Sequence, residues 1–106
     1  MSEFTEKTKS ISYRNVNNNT ITNGDYVVDL STGNLLSVSG SVYVKETNPD
    51  TQAAVEGRYI GGFNGHPEGN EMSYGFSNMT LNDMLLVMAA IQEIIPHTVQ
   101  PSSQED

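Results

Sequence analysis

The chain has 106 residues, of which 36% are hydrophobic and 17% charged, a composition that fits one folded domain and excludes a disordered chain. Five Lys and Arg residues stand against 13 Asp and Glu, and the formal net charge of −8 disfavours direct binding to nucleic acid or to anionic lipid. There is no cysteine, which excludes disulfides, thiolate catalysis and metal sites built on thiolates.

The two ends of the chain differ in composition from its middle. Residues 1–9 are polar and show no apolar period, which predicts a flexible leader before a single domain over residues 10–96. They lack the basic start and apolar run of a secretory signal, and no stretch reaches about 20 apolar residues. We therefore expect a cytoplasmic protein with no membrane segment. Residues 97–106 predict a flexible acidic tail.

Alternating side chains and turn-forming residues predict strands in the first half of the domain. Ile11 and Tyr13 alternate with polar residues in a short strand that an Asn-rich run closes. Asn23 and Gly24 form a dipeptide typical of a tight hairpin turn, which would lead into a strand over residues 26–30. The Ser-Thr-Gly-Asn segment after that strand predicts another turn.

The clearest alternation of the sequence runs over residues 36–45. Its period of two predicts a long strand with one aliphatic and one hydroxyl-rich face, and Gly40 at its middle predicts a bend or bulge. Pro49 lies in the turn that ends it. Small outward residues on this and other strands predict a flat face that a partner could approach closely: Ser37, Ser39, Ser41, Gly57, Gly61 and Gly75.

Two further strand-like runs occupy residues 54–63 and 72–76, and the Gly-rich segment 61–70 predicts a loop between them. This segment contains His66, Glu68 and Glu71, an imidazole and two carboxylates that could converge on a cation. The three residues follow no recognised metal-ligand spacing, so we predict no metal site and no cofactor.

The last predicted element is an amphipathic helix that Thr80 caps, with Asp83 favourable near its N-terminus, and that Pro96 ends. The apolar residues at helical spacing, which predict its core face, are Leu81, Met84, Leu85, Val87, Met88, Ile91, Ile94 and Ile95. The opposite side carries Leu86, Ala89 and Ala90. Such small apolar residues predict self-association of two helices in a homodimer.

These elements predict an α+β fold, an antiparallel β-meander of about five strands with one C-terminal amphipathic helix packed on one face. A small β-barrel closed by the helix is the alternative, because the long alternating strand is also compatible with closure.

The sequence contains no catalytic constellation, since it lacks a Gly-x-Ser-x-Gly elbow and has only two histidines. We therefore predict a small acidic protein-binding module that is not an enzyme, such as an inhibitor or adaptor that docks on a basic site of a larger protein. Its composition is similar to that of phage and mobile-element accessory proteins. The predicted partner-binding residues are Glu46, Asp50, Glu68 and Glu71, which lie near turns where binding residues concentrate.

Two alternatives stay open at the level of sequence. The Ser/Thr/Asn-rich sheet also suits a small structural component of a virion or another assembly, which would form large particles. A ligand-binding or hydrolytic domain would use the loop around His66, with Glu68 and Glu71 as its carboxylates.

Overall fold

The computed structural model describes residues 2–98, which form a five-stranded sheet and one helix. The elements in chain order are β1 (Thr8–Val16), β2 (Thr20–Asp29), β3 (Leu35–Thr47), β4 (Ala54–Glu68), β5 (Glu71–Phe76) and α1 (Leu81–Thr98). Neighbouring strands are antiparallel and pair in chain order, so β1 and β5 are the two edges. The predicted α+β meander with a C-terminal helix is confirmed. The alternative barrel is wrong, because β1 and β5 do not pair and the sheet stays open.

The elements extend slightly beyond the predicted limits of the domain, residues 10–96. β1 begins at Thr8, and α1 continues to Thr98. The rest of the predicted acidic tail, residues 99–106, lies outside the described residues. Pro96 lies within α1, so the prediction that it ends the helix is wrong. A proline this close to the end removes a single helical hydrogen bond, and α1 accommodates it in its last turn.

Asn and Asp side chains stabilise three of the four strand connections. The side-chain oxygens of Asn17, Asp29 and Asn48 each accept backbone N–H groups two or three residues further along the chain. All three connections lie where the sequence predicts a turn.

The Gly-rich segment 61–70 is a strand for most of its length, so the predicted long loop is wrong. Its first eight residues belong to β4, and only Gly69 and Asn70 connect β4 to β5. The glycines serve close packing here. A β-carbon at Gly65 would lie 2.5 Å from the ring of Tyr74, which pairs with it across the sheet. Glycine therefore gives the aromatic ring space on the sheet surface.

A second pair of glycines lies at the centre of the sheet. The Asn23–Gly24 dipeptide is inside β2, so the predicted hairpin turn there is wrong. Gly24 pairs with Gly40 of β3, and a β-carbon on Gly24 would clash with the β3 backbone. The gap above the two glycines lets Tyr13 reach across from β1, and its hydroxyl donates a hydrogen bond to the Ser39 carbonyl oxygen at 2.7 Å. Gly40 marks no bulge, and the register shifts lie elsewhere in the pairings of β3.

The core lies between α1 and one face of the sheet. The buried residues that form it are Val28, Leu35, Val38, Val42, Ile60, Phe63, Val87, Ala90, Ile91 and Ile94. They come from β2, β3 and β4 and from the part of α1 that begins at Val87. The edge strands add half-buried aromatic residues around this centre, including Tyr13 and Tyr74.

α1 begins where the sequence predicts but turns a different side to the sheet. The Asp83 N–H donates to the Thr80 side-chain oxygen at 3.2 Å, as an N-cap requires. The buried residues of α1 are Val87, Ala90, Ile91, Ile94 and Thr98. Three residues of the predicted core face are instead exposed, namely Leu81, Leu85 and Met88. Within residues 2–98, no helix has the length and apolar content needed to cross a bilayer.

The predicted position of Leu86, Ala89 and Ala90 on the solvent side is correct only for Ala89. Ala90 is 0% exposed, and Leu86 is partly buried against the core. Apolar residues occur on most sides of α1, so their spacing alone does not specify which side is buried. The small side chain of Ala90 faces the sheet, where it allows close approach of the helix.

Two adjacent alanines test this orientation of α1. We expect Ala90→Glu to lower the free energy of unfolding by several kcal/mol, because it buries an unpaired carboxylate in the core. Ala89→Glu changes an exposed neighbour and should alter stability by about 0.5 kcal/mol or less. Urea denaturation of both variants measures the difference, and equal stabilities would contradict the observed orientation.

Candidate functional site

The four predicted partner-binding carboxylates lie at two separate places on the molecule. Glu68 and Glu71 flank the connection of β4 to β5, whereas Glu46 and Asp50 lie near the connection of β3 to β4. These connections are at opposite ends of β4, a strand of 15 residues. At about 3.3 Å per residue they are up to about 45 Å apart. All four residues are exposed, but they do not form one surface.

The β4–β5 tip, residues 68–71, brings two carboxylates together. Glu68 and Glu71 are paired across the last rung of the ladder, and Gly69 has a φ of 64° in the two-residue turn between them. His66 Nε2 lies 3.6 Å from Glu68 Oε1, on an exposed side of β4. Among the described residues, neither glutamate has a Lys or Arg partner.

The second acidic place is the β3–β4 turn. Its backbone is fixed by Asn48, whose side-chain oxygen accepts the Asp50 N–H at 2.8 Å. Glu46 lies beside Gly57, where a β-carbon would come within 2.6 Å of its carboxylate oxygen. Two exposed carboxylates therefore lie at the end of β3 and in the turn that follows it.

One acidic residue of the sheet, Glu56, is already paired with an arginine. Arg14 Nε donates to Glu56 Oε2 at 2.9 Å, and Asn23 Nδ2 donates to the same oxygen at 2.9 Å. Arg14 also donates to the Ala54 carbonyl oxygen at 3.1 Å, so one side chain connects β1 to β4. The hydrogen bonds from Arg14 and Asn23 lower the pKa of Glu56 to about 2.

The second arginine forms an ion pair between the sheet and the helix. Arg58 Nη2 lies 3.2 Å from Asp83 Oδ1, and Arg58 Nη1 donates to Asp83 Oδ2 at 3.4 Å. This pair connects β4 to the first turn of α1. The Lys and Arg residues without an ion pair in the described part of the chain are Lys7, Lys9 and Lys45.

The residues around His66 do not assemble into a metal-ligand cluster. Between residues 2 and 98, no group of three or more His, Cys, Asp or Glu side chains is arranged to hold a metal ion. His66 and Glu68 are neighbours on β4, and Glu71 is across the turn.

The sheet face opposite α1 carries a row of small polar residues. The register aligns one residue from each strand: Ser12, Asp25, Ser39, Asn64 and Gly75. The Ser12 hydroxyl donates to Asp25 Oδ1 at 2.7 Å. Gly61 was predicted for this face, but it is buried, and a β-carbon there would meet the Met79 side chain. Ser37 and Ser41, the other predicted positions on β3, alternate with the buried Val38 and Val42 and therefore also lie on this face, as does Tyr43, whose ring packs against Tyr59 at 5.5 Å.

A first feature that sequence analysis missed is an apolar surface on α1. We call Leu81, Leu85 and Met88 the helix stripe, because they follow one another at i, i+4 and i+7 and are 70%, 55% and 42% exposed. The spacing is visible in the sequence. It predicts part of the core face because apolar residues occur on most sides of this helix, so spacing alone does not specify which side is buried.

A second missed feature is an open groove of about 390 Å³ between β1 and the last turns of α1. Apolar side chains form much of its wall: Ile11, Tyr13, Tyr26 and Ile94. Asn15, His97 and Thr98 contribute polar atoms. The groove depends on where α1 crosses the sheet, and no local sequence pattern encodes that position.

Comparisons of the chain with protein-family models, curated proteins and solved structures find no match. The chemistry of its surface therefore has to be inferred from the geometry described above.

The Arg14–Glu56 pair predicts a particular dependence of stability on pH. The pKa of Glu56 is lowered in the folded protein, so the pair stabilises the fold above the ordinary carboxylate range. This contribution should be lost as the pH falls from about 4.5 to about 2. We expect the urea midpoint of Glu56→Gln to lie below that of the unmodified protein at pH 7, and the two to converge near pH 2.

Glu46→Gln is the matched control for this experiment. It removes an exposed carboxylate that makes no ion pair within the described chain. A gap between the urea midpoints of Glu56→Gln and Glu46→Gln that stays constant over the whole pH range would contradict the assigned role of Glu56.

Proposed function

We propose that the protein is a small acidic, non-enzymatic binding module of the cytoplasm, an inhibitor or adaptor that docks on a basic site of a larger protein. The observation that supports this function best is the β4–β5 tip, where Glu68 and Glu71 lie side by side without a Lys or Arg partner among the described residues. A tip at the end of a rigid sheet can enter a cleft or meet a flat basic surface.

The distribution of ion pairs supports the choice of the tip. Glu56 and Asp83 are paired with arginines and serve the fold. The tip carboxylates have no such partner, so their charge is available to a basic partner protein. The net charge of −8 adds long-range attraction, which acts on the rate of association more than on the lifetime of the complex.

Charge reversal at the tip tests this function. We immobilise the full chain and, separately, the double variant Glu68→Lys, Glu71→Lys, and use each to capture proteins from a lysate. The captured partner is then purified, and its association kinetics with both proteins are measured. We expect the variant to associate at least tenfold more slowly. Raising NaCl from 0.05 to 0.5 M should slow association of the unmodified protein similarly, because screening shortens the range of charge interactions.

The matched control is the double variant Glu6→Lys, Glu93→Lys, which changes the net charge equally at exposed positions away from the tip. We expect this control to lose much less association rate than the tip variant. If tip and control variants behave alike, net charge alone steers binding. If neither they nor salt has any effect, the acidity serves solubility and the proposed function is wrong.

The helix stripe favours a second candidate function, a component of a larger assembly. Three exposed apolar side chains on one side of a helix form a surface suited to packing against another protein. Leu85, at the middle of the stripe, is 55% exposed.

Light scattering separates this second candidate from the binding module. If the stripe drives assembly, the chain should form dimers or larger particles at concentrations near 0.1 mM. Leu85→Gln should then reduce the mean mass to that of a monomer without loss of stability. A monomeric mass for both proteins would leave the assembly function without support.

A further inference from the structure

The hydrogen bonds at the two ends of the β1–β2 pairing identify which backbone groups of β1 face outward. Leu30 N donates to the Lys7 carbonyl oxygen, and Asn17 N donates to that of Thr20, each at 3.0 Å. Hydrogen-bonded pairs alternate with non-bonded pairs in an antiparallel ladder, so the odd-numbered residues of β1 bond to β2. The even-numbered residues of β1 therefore direct their N–H and carbonyl groups away from β2: Thr8, Ser10, Ser12, Arg14 and Val16.

The groove lies directly beside this open edge. Five consecutive residues of β1, from Ile11 to Asn15, border it, and Ile94 and His97 of α1 form the other wall. The side chains of Ile11 and Tyr13 lie on the same side of the sheet as α1. A strand added to the edge would therefore place alternate side chains in the groove.

One exposed positive charge, that of Lys9, lies on β1 two residues from the groove, in contrast to the net charge of the chain. Lys9 pairs with Val28, a core residue, so its side chain lies on the helix side of the sheet, two residues before Ile11. It is exposed and makes no ion pair within residues 2–98. A carboxylate opposite Lys9 would complement this charge.

We propose that β1 and α1 form a binding groove for an extended peptide of a partner protein, which adds to the sheet as a sixth strand antiparallel to β1. Its sequence pattern is apolar-x-apolar-x-acidic. The two apolar residues face Tyr13 and Ile11 in the groove, and the acidic residue faces Lys9. The outward N–H and carbonyl groups of Ser12 and Ser10 form hydrogen bonds with the backbone of the two x residues of the peptide. This site is independent of the acidic tip.

Electrostatics favours such a peptide over a second copy of the chain. Antiparallel pairing of two β1 strands would bring together two bodies that each carry a net charge of −8. Like charges disfavour this arrangement, whereas an acidic residue of the peptide meets Lys9 alone.

The test uses the full chain and the peptide acetyl-Thr-Val-Thr-Ile-Thr-Glu-Thr-amide, with valine opposite Tyr13 and glutamate opposite Lys9. Titration is followed by the amide resonances of the isotope-labelled protein. We expect saturable binding with the largest shifts at Ser10, Ser12 and Arg14. Methylation of the amide nitrogen of the threonine between valine and isoleucine should weaken binding at least tenfold, because this N–H donates to Ser12.

Methylation of the isoleucine nitrogen is the matched control, since this N–H points away from β1 and its loss should change affinity less than twofold. On the protein, Lys9→Gln should weaken binding two- to fivefold, in the range expected for an exposed ion pair. Lys45→Gln is the control for this variant and should have no effect, because Lys45 is on β3, two strands away from the edge to which the peptide adds.

Four results would overturn the proposal. The first is no saturable binding, and the second is equal weakening by the two methylations. The third is resonance shifts of β1 that depend on protein concentration without peptide, which would assign the groove to a second copy. The fourth is at least tenfold tighter binding by a variant that lacks residues 99–106, which would assign it to this chain's own C-terminal residues. None of these measurements uses the variants of the β4–β5 tip, so a failure of this proposal is distinguishable from a failure of the proposed function.

Discussion

A single helix has to cover one face of a five-stranded sheet, and much of the structure follows from this constraint. α1 has 18 residues, so it is about 27 Å long and about 10 Å wide. Its first turn is bound to β4 through Arg58 and Asp83, and its last turns lie beside β1, so it crosses the strands. A helix in this orientation shields only part of each strand. Other side chains must complete the core where the helix does not reach.

Aromatic residues on the strands fulfil this role. Tyr13 packs with Tyr26 at a centroid distance of 6.0 Å, and Phe63 packs with Tyr74 at 6.5 Å. The glycines opposite them give these large rings space on the sheet. Burial raises the pKa of Tyr13, so its hydroxyl keeps its proton and continues to donate to the β3 backbone over the whole physiological range.

The sequence predicts those elements whose signal is local. The alternation of residues 36–45 identifies β3, and the side chain of Thr80 identifies the start of α1. The role of a glycine is harder to predict, because glycine permits either a tight turn or the close approach of another group. Gly24 and Gly65 are in strands and allow close approach, which only their partners on the neighbouring strands reveal. The same limit applies to the site, since Glu46 pairs with Val55 near the start of β4 whereas Glu68 is at its end, and β4 is longer than predicted.

The arrangement of charge decides what each surface can recognise. The β4–β5 tip and Lys9 lie near the same end of the sheet, but on opposite edges. Four interstrand spacings of about 4.8 Å separate β1 from β5, about 19 Å in all. This exceeds the Debye length of about 8 Å at physiological ionic strength, so the tip carboxylates do not cancel the charge of Lys9. Each edge therefore presents its own local charge, and a chain with a net charge of −8 can attract a basic surface at one edge and an acidic peptide at the other.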